Sequence, residues 1–218
     1  MNSYSLNIWR MSLLMLLTIF NLGCSVFGIR NYEMPKYQII LKEENKEIRH
    51  YESYIVAKTM VKGEFKKAQG AAFRILAGYI FGDNEKKQEI PMTAPVLQKP
   101  TEESSKLQMT APVIQSPSED GWVMSFMMPS KYIIEDLPMP KNKSVSFETI
   151  PERYIAALRY TWISNKNRNE KKANELQQWI TGLSEFEPVS FPVYAGYDPP
   201  WTLPFLRRNE VMIEIKKK

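Results

Sequence analysis

The stretch Tyr54-Ile55-Val56-Ala57 and the stretch Tyr154-Ile155-Ala156-Ala157 stand 100 positions apart, and the reading of this pair decides the fold. At the same offset Glu52 falls on Glu152, Leu76 on Leu176, Tyr79 on Trp179, Ile80 on Ile180 and Gly82 on Gly182. One position further, Ile90-Pro91-Met92-Thr93-Ala94 falls on Phe191-Pro192-Val193-Tyr194-Ala195, and Val123-Met124 later resembles Val211-Met212. Matches that stay collinear through a strand, a loop and a helix read as an internal duplication.

Each copy reads as strand, strand, helix, strand, strand. "YQIILKEENKEIRHY" predicts two strands around a polar turn at Glu43 to Lys46, and "YIVAKTMV" predicts a third. From Glu64 to Phe81 the apolar spacing becomes helical, and Gly82-Asp83-Asn84 ends that helix. "IPMTAPV" at Ile90 to Val96 and "LQMTAPV" at Leu107 to Val113 predict a local hairpin that pairs Met92 with Val113 and Val96 with Met109. "WVMSFMMP" then predicts a strand that Pro129 terminates. A unit of this kind leaves its sheet face exposed on its own. The expected fold is therefore α+β: a distorted antiparallel sheet or barrel carrying two main helices, built from two pseudo-symmetric halves at about 37–130 and 131–218.

A chain of 218 residues with 44% hydrophobic and 12% aromatic content can bury a sizeable core. The charge of +5 arises from 29 basic against 24 acidic residues spread along the chain. No basic stripe interleaves with aromatics, so nucleic acid is not an expected partner. The N-terminus is more specific. Arg10 precedes "MSLLMLLTIFNLGC", an apolar run as long as a signal-peptide core and short for a bilayer span, so residues 1–23 read as an export signal. Cys24, the only cysteine, follows Gly23 where a bacterial lipoprotein would be cleaved and lipidated; Asn21 and Leu22 depart from the usual residues of such a box. A simple signal peptide or an uncleaved anchor is the alternative. The expected setting is a membrane-anchored lipoprotein of the cell envelope facing the periplasm, with residues 24–36 as a connector and no intramolecular disulfide.

One histidine and one cysteine leave no parts for Cys/His catalysis or a multi-histidine metal site, and no Gly-x-Ser-x-Gly elbow, phosphate loop or HExxH signature occurs. A binding protein is expected rather than an enzyme. In the first helix Phe73, Ala77, Ile80 and Phe81 widen the apolar arc to roughly 200°, beyond what a sheet alone would cover. That flank is a candidate pocket wall, with Met92 and Met109 among the flexible methionines beside it. His50 lies in "EIRHY", where strand geometry puts Ile48, His50 and Glu52 on one face and Arg49 and Tyr51 on the other. A lone strand histidine is commonly structural, yet one imidazole suffices as an axial ligand to haem iron.

The segments "YQIILKEENKEIRHYESYIVA", "AFRILAGYIFGDNEKKQEIPMTAPV", the second "MTAPV", "MSFMMPSKY" and "YDPPWTLPFLRRNEVMIEI" resemble the SOUL haem-binding proteins from Tyr37 to Ile215. The resemblance implies a distorted antiparallel barrel of two pseudo-symmetric halves. It also implies reversible binding of haem or another tetrapyrrole on a shallow apolar site beside the first helix, at Phe73, Ala77 and Ile80. His50 matches a histidine proposed in some members as axial ligand. The haem propionates would then seek Lys66 and Arg74, with Arg49 less favourably placed. Carrier or buffer is the expected role; an envelope protein-interaction or structural module, and a tetrapyrrole-modifying enzyme, are the alternatives.

Overall fold

The computed structural model describes residues 32–100 and 121–218. The expected export signal at residues 1–23, Cys24, Met109 and the second MTAPV segment lie outside the described residues. Among the described residues, ten strands form one antiparallel sheet: β1 (Tyr37–Glu43), β2 (Lys46–Tyr51), β3 (Tyr54–Lys62), β4 (Val96–Pro100), β5 (Gly121–Met127), β6 (Ser146–Ile150), β7 (Arg153–Tyr160), β8 (Phe186–Pro188), β9 (Val193–Gly196) and β10 (Asn209–Lys217). Helix α1 (Phe65–Ile80) follows β3, and helix α2 (Lys166–Gly182) follows β7. The strand order is β1-β2-β7-β10-β9-β4-β5-β3-β6, with β8 pairing β10. The fold is α+β, a curled half-barrel sheet with two helices.

Local chemistry places these elements. Glu44, at φ 50°, turns the chain between β1 and β2. Asn165 caps α2 by accepting from the Arg168 N–H at 2.9 Å. Gly82, at φ 99°, takes the left-handed conformation that closes α1. Each helix presents a narrow buried stripe to the sheet: Ala68, Ala72, Leu76 and Tyr79 from α1, and Ala173, Leu176 and Ile180 from α2. α1 covers Ala57, Met124 and Phe126, while α2 covers Ile48, Ala156, Leu158 and Val211. A third apolar cluster, with Tyr51, Ile155, Ala157, Ala195 and Met212, fills the concave side.

From β2 and β6 inward the order is a mirror: β2 pairs β7, β6 pairs β3, and β9 and β4 meet at the centre. The β1–β2 hairpin that leads the first half and the strand β6 that leads the second are therefore each exchanged into the other half. Ile48 pairs with Ala156, and its mirror pair is Phe147 with Ala57. Matching the faces that the two helices cover relates Ile48 to Phe147 and Ala57 to Ala156, which stand 99 residues apart. The offset of 100 that aligns Tyr54 with Tyr154 puts the two on opposite faces: Tyr154 packs with the α2 core and Tyr54 with the concave cluster.

The first MTAPV segment is not a strand. Residues 91–95 are irregular and β4 begins at Val96, where it pairs with β5 and β9. The reason is the loss of ladder donors at Pro91 and Pro95, with the intervening polar groups taken elsewhere. The Thr93 hydroxyl donates to the Met127 carbonyl, and the Ala94 N–H donates to the Glu33 carbonyl at 3.0 Å. Residues 32–36 thus belong to the packed body: the Lys36 carbonyl accepts from the Glu52 N–H at 3.1 Å.

Candidate functional site

The flank of α1 that the sequence leaves uncovered divides in two. Ile80 is 1% and Ala77 8% exposed, both within the core. Ile90 shares their core cluster, on a segment that returns along the helix end: Glu89 bridges to Phe81 and the Ile90 N–H donates to the Ile80 carbonyl at 2.8 Å. Asn84 holds that return. Its buried amide donates to the Tyr79 carbonyl at 3.1 Å and the Gln88 carbonyl at 2.7 Å, and accepts from the Gln88 N–H at 3.0 Å. Beyond this seam lie exposed apolar side chains: Phe73 at 37%, Phe81 at 62% and Met92 at 37%. Phe73 rests edge-on against Phe126, ring centroids 5.4 Å apart, which fixes its plane. Met92 lies between two anchored residues, Ile90 bonded to α1 and Thr93 bonded to β5.

Lys66 lies two turns before Phe73 on the same side of α1, and Arg74 is its chain neighbour; both are exposed. This flank thus carries exposed apolar side chains at Phe73, Phe81 and Met92 and exposed cations at Lys66 and Arg74. His50 is not part of it. It pairs across the sheet with Gln38 and Tyr154, and its ring stacks on Tyr154 at 4.7 Å. Ile48, on its face of β2, packs beneath α2, and β7, β10, β9 and β4 intervene between β2 and the strand that carries Phe126. The structure therefore does not bring His50 together with Phe73 and Met92.

On the concave side the largest electrostatic feature is a buried cluster around Glu210, which is 0% exposed. The guanidinium of Arg49 meets it through two bonds, Nη1 to Oε2 at 2.7 Å and Nη2 to Oε1 at 3.0 Å. The Tyr197 hydroxyl donates to Oε2 at 2.7 Å and Arg208 Nη2 to Oε1 at 2.7 Å. Arg49 also donates to the Tyr51 hydroxyl at 3.1 Å and to Glu47 at 2.7 Å. Burial alone would push the Glu210 carboxyl up, but the hydrogen bonds and charge of Arg49, with the charge of Arg208, bring it down to about 2. With its partners internal, Arg49 is not available to a propionate at the α1 flank. The cluster closes one end of the concave side as a structural network.

A family model described as SOUL heme-binding protein matches residues 32–214. The chain belongs to the SOUL heme-binding protein family. Membership points to haem or another tetrapyrrole as ligand. The matched span includes Tyr32, which packs against the concave cluster. No curated protein matches this SOUL chain significantly. Among solved structures, the C-terminal domain of EcmrR is similar with a TM-score of 0.56 at 13% identity, covering 84% of this chain and 99% of that one. An uncharacterized conserved protein from Listeria innocua has a TM-score of 0.53 at 9% identity, covering 80% and 93%. A structure described as a hydrolase from Listeria innocua has a TM-score of 0.53 at 7% identity, covering 81% and 94%. At these identities the likeness concerns the fold alone.

On the α1 flank Phe73, Phe81 and Met92 supply exposed apolar surface, and Lys66 and Arg74 supply positive charge. The flank offers no imidazole to an iron.

Proposed function

We propose that this SOUL protein is an exported carrier or buffer of haem or another tetrapyrrole, tied to the membrane through Cys24 and facing the periplasm. The ligand lies across the α1 flank, on Phe73, Phe81 and Met92, with its propionates toward Lys66 and Arg74. The observation that carries this reading is that flank, with its exposed apolar side chains and exposed cations, in a chain of a haem-binding family. Covering about 300 Å² of porphyrin would contribute roughly 7 kcal/mol before association costs. Without an iron ligand from the protein, affinity is modest and exchange is fast, as transfer requires.

Hemin titration tests the reading. A saturable Soret change at micromolar hemin is expected. Phe73→Glu should weaken it at least tenfold, or about 1.4 kcal/mol, while His50→Ala should leave the Soret position unchanged. Absence of a saturable change in the native protein would sink the proposal, and a Soret shift in His50→Ala would relocate the site to β2. The anchor is tested separately: Cys24→Ala should move the protein from the membrane to the soluble fraction, and retention at the membrane would point to another anchor.

A further inference from the structure

Successive residues of β3 point to opposite sides of the sheet. Ala57 enters the core beneath α1, whereas Val56, Lys58 and Met60 line a cavity of about 510 Å³ on the other side. That volume is within the range of small-molecule sites. Its apolar wall comes from Leu97, Val123, Ile150 and Val193 as well as Met60, which is 58% exposed at the mouth.

The polar groups of this cavity are unequally committed. Lys58 pairs with Glu148 at 2.7 Å, and Arg153 pairs with Glu214 at 2.8 Å while also donating to the Tyr54 hydroxyl at 3.1 Å. Lys99 also lines the cavity and has no ion-pair partner among the described residues. Three cations against two carboxylates leave one positive charge in excess. Arg153 Nε is buried and makes no hydrogen bond. A buried guanidinium N–H without an acceptor is costly, and an anion is the partner that suits it best. Both spare groups, the Lys99 ammonium and the Arg153 Nε–H, are donors.

The geometry points to a second ligand site on the concave side of the sheet, for a small amphiphilic carboxylate whose head meets Lys99 and Arg153 and whose chain lies on Leu97, Val123 and Val193. The sheet itself separates this site from the α1 flank, so the inference stands independently of the tetrapyrrole reading.

Calorimetric titration of the full chain with dodecanoate, and with dodecyltrimethylammonium as a probe of equal chain length and opposite charge, tests it below micelle-forming concentrations. Saturable 1:1 binding of dodecanoate is expected, at least tenfold tighter than that of the cation. Lys99→Glu should weaken dodecanoate at least tenfold, and Ser125→Trp, which fills the cavity from β5, should abolish its binding. Hemin titrations of both variants should match the native protein. Equal affinity for the two probes, dodecanoate binding retained in both variants, or displacement of dodecanoate by hemin would overturn the proposal. Should Ser125→Trp lack the native circular dichroism spectrum, the exposed Lys99→Glu variant decides.

Discussion

Glu210 and Arg49 stand 161 residues apart in the chain and meet through a bidentate bond with almost no solvent contact. Such a buried pair is costly to break, because removal of one partner leaves the other charge without compensation. Glu210→Gln leaves Arg49 and Arg208 facing a neutral amide, and should cost about 3–5 kcal/mol, read as a lower urea midpoint at neutral pH. The pH dependence has a definite sign. The Glu210 carboxyl lies at about 2 in the folded protein against an ordinary 4.5, so its contribution is fully present above about 4.5 and is lost as the pH falls toward 2. Native protein should therefore lose stability across that window, and Glu210→Gln should lose less over the same interval. Equal slopes for the two would refute the assignment. Strand alternation places Arg49 beside Tyr51 on one face, but nothing local in "EIRHY" or "RRNEV" tells which carboxylate Arg49 meets. That pairing is a property of the sheet order.

At the scale of elements, both helices, the β1–β2 hairpin, β3 and β5 are legible because each carries its own period and its own stop. The MTAPV segment is misread as a strand for a physical reason: Pro95 shows in the sequence as a lost ladder donor that restricts pairing to edges or bulges, but nothing local shows that Met127 and Glu33 take the Thr93 hydroxyl and the Ala94 N–H. Helical counting likewise identifies Phe73, Ala77, Ile80 and Phe81 as one arc, but cannot show that Ile90 returns along the helix end to share the core of Ala77 and Ile80 while Phe73 and Phe81 stay exposed. Asn84 controls that return with three hydrogen bonds to backbone groups. Asn84→Ala should cost about 1–3 kcal/mol for each buried group it leaves unpaired. It should also loosen the segment that carries Met92. Faster hydrogen exchange at the Ile90 amide and several-fold weaker hemin binding are the expected results; native exchange at Ile90 would show that the return is held by packing instead.

The order of eight strands, β2-β7-β10-β9 and β4-β5-β3-β6, reads the same from both ends, and the 100-residue offset does not keep the strand residues it aligns on matching faces. A one-residue slip inverts every side chain of a strand, so the residues that look most alike, Tyr54 and Tyr154, serve different faces. Helical packing tolerates the discrepancy better: Leu76 and Leu176, and Ile80 and Ile180, are buried in both helices at the offset of 100. The exchange of leading strands has a consequence for folding. Ile48 of β2 lies in the core beneath α2, and Phe147 of β6 packs against the core beneath α1, so each core is completed by a strand from the other half. Each half on its own would also lose three strand pairings, leaving unpaired edges at β2, β3 and β4 or at β6, β7 and β9. Fragments divided after Ser130, in the loop that follows β5, should therefore each lack a cooperative thermal transition. Mixed in equal amounts, they should regain the near-ultraviolet dichroism of the intact chain, because the exchanged strands supply the recognition surface. A cooperative transition in either fragment alone would show that one core closes without its exchanged strand.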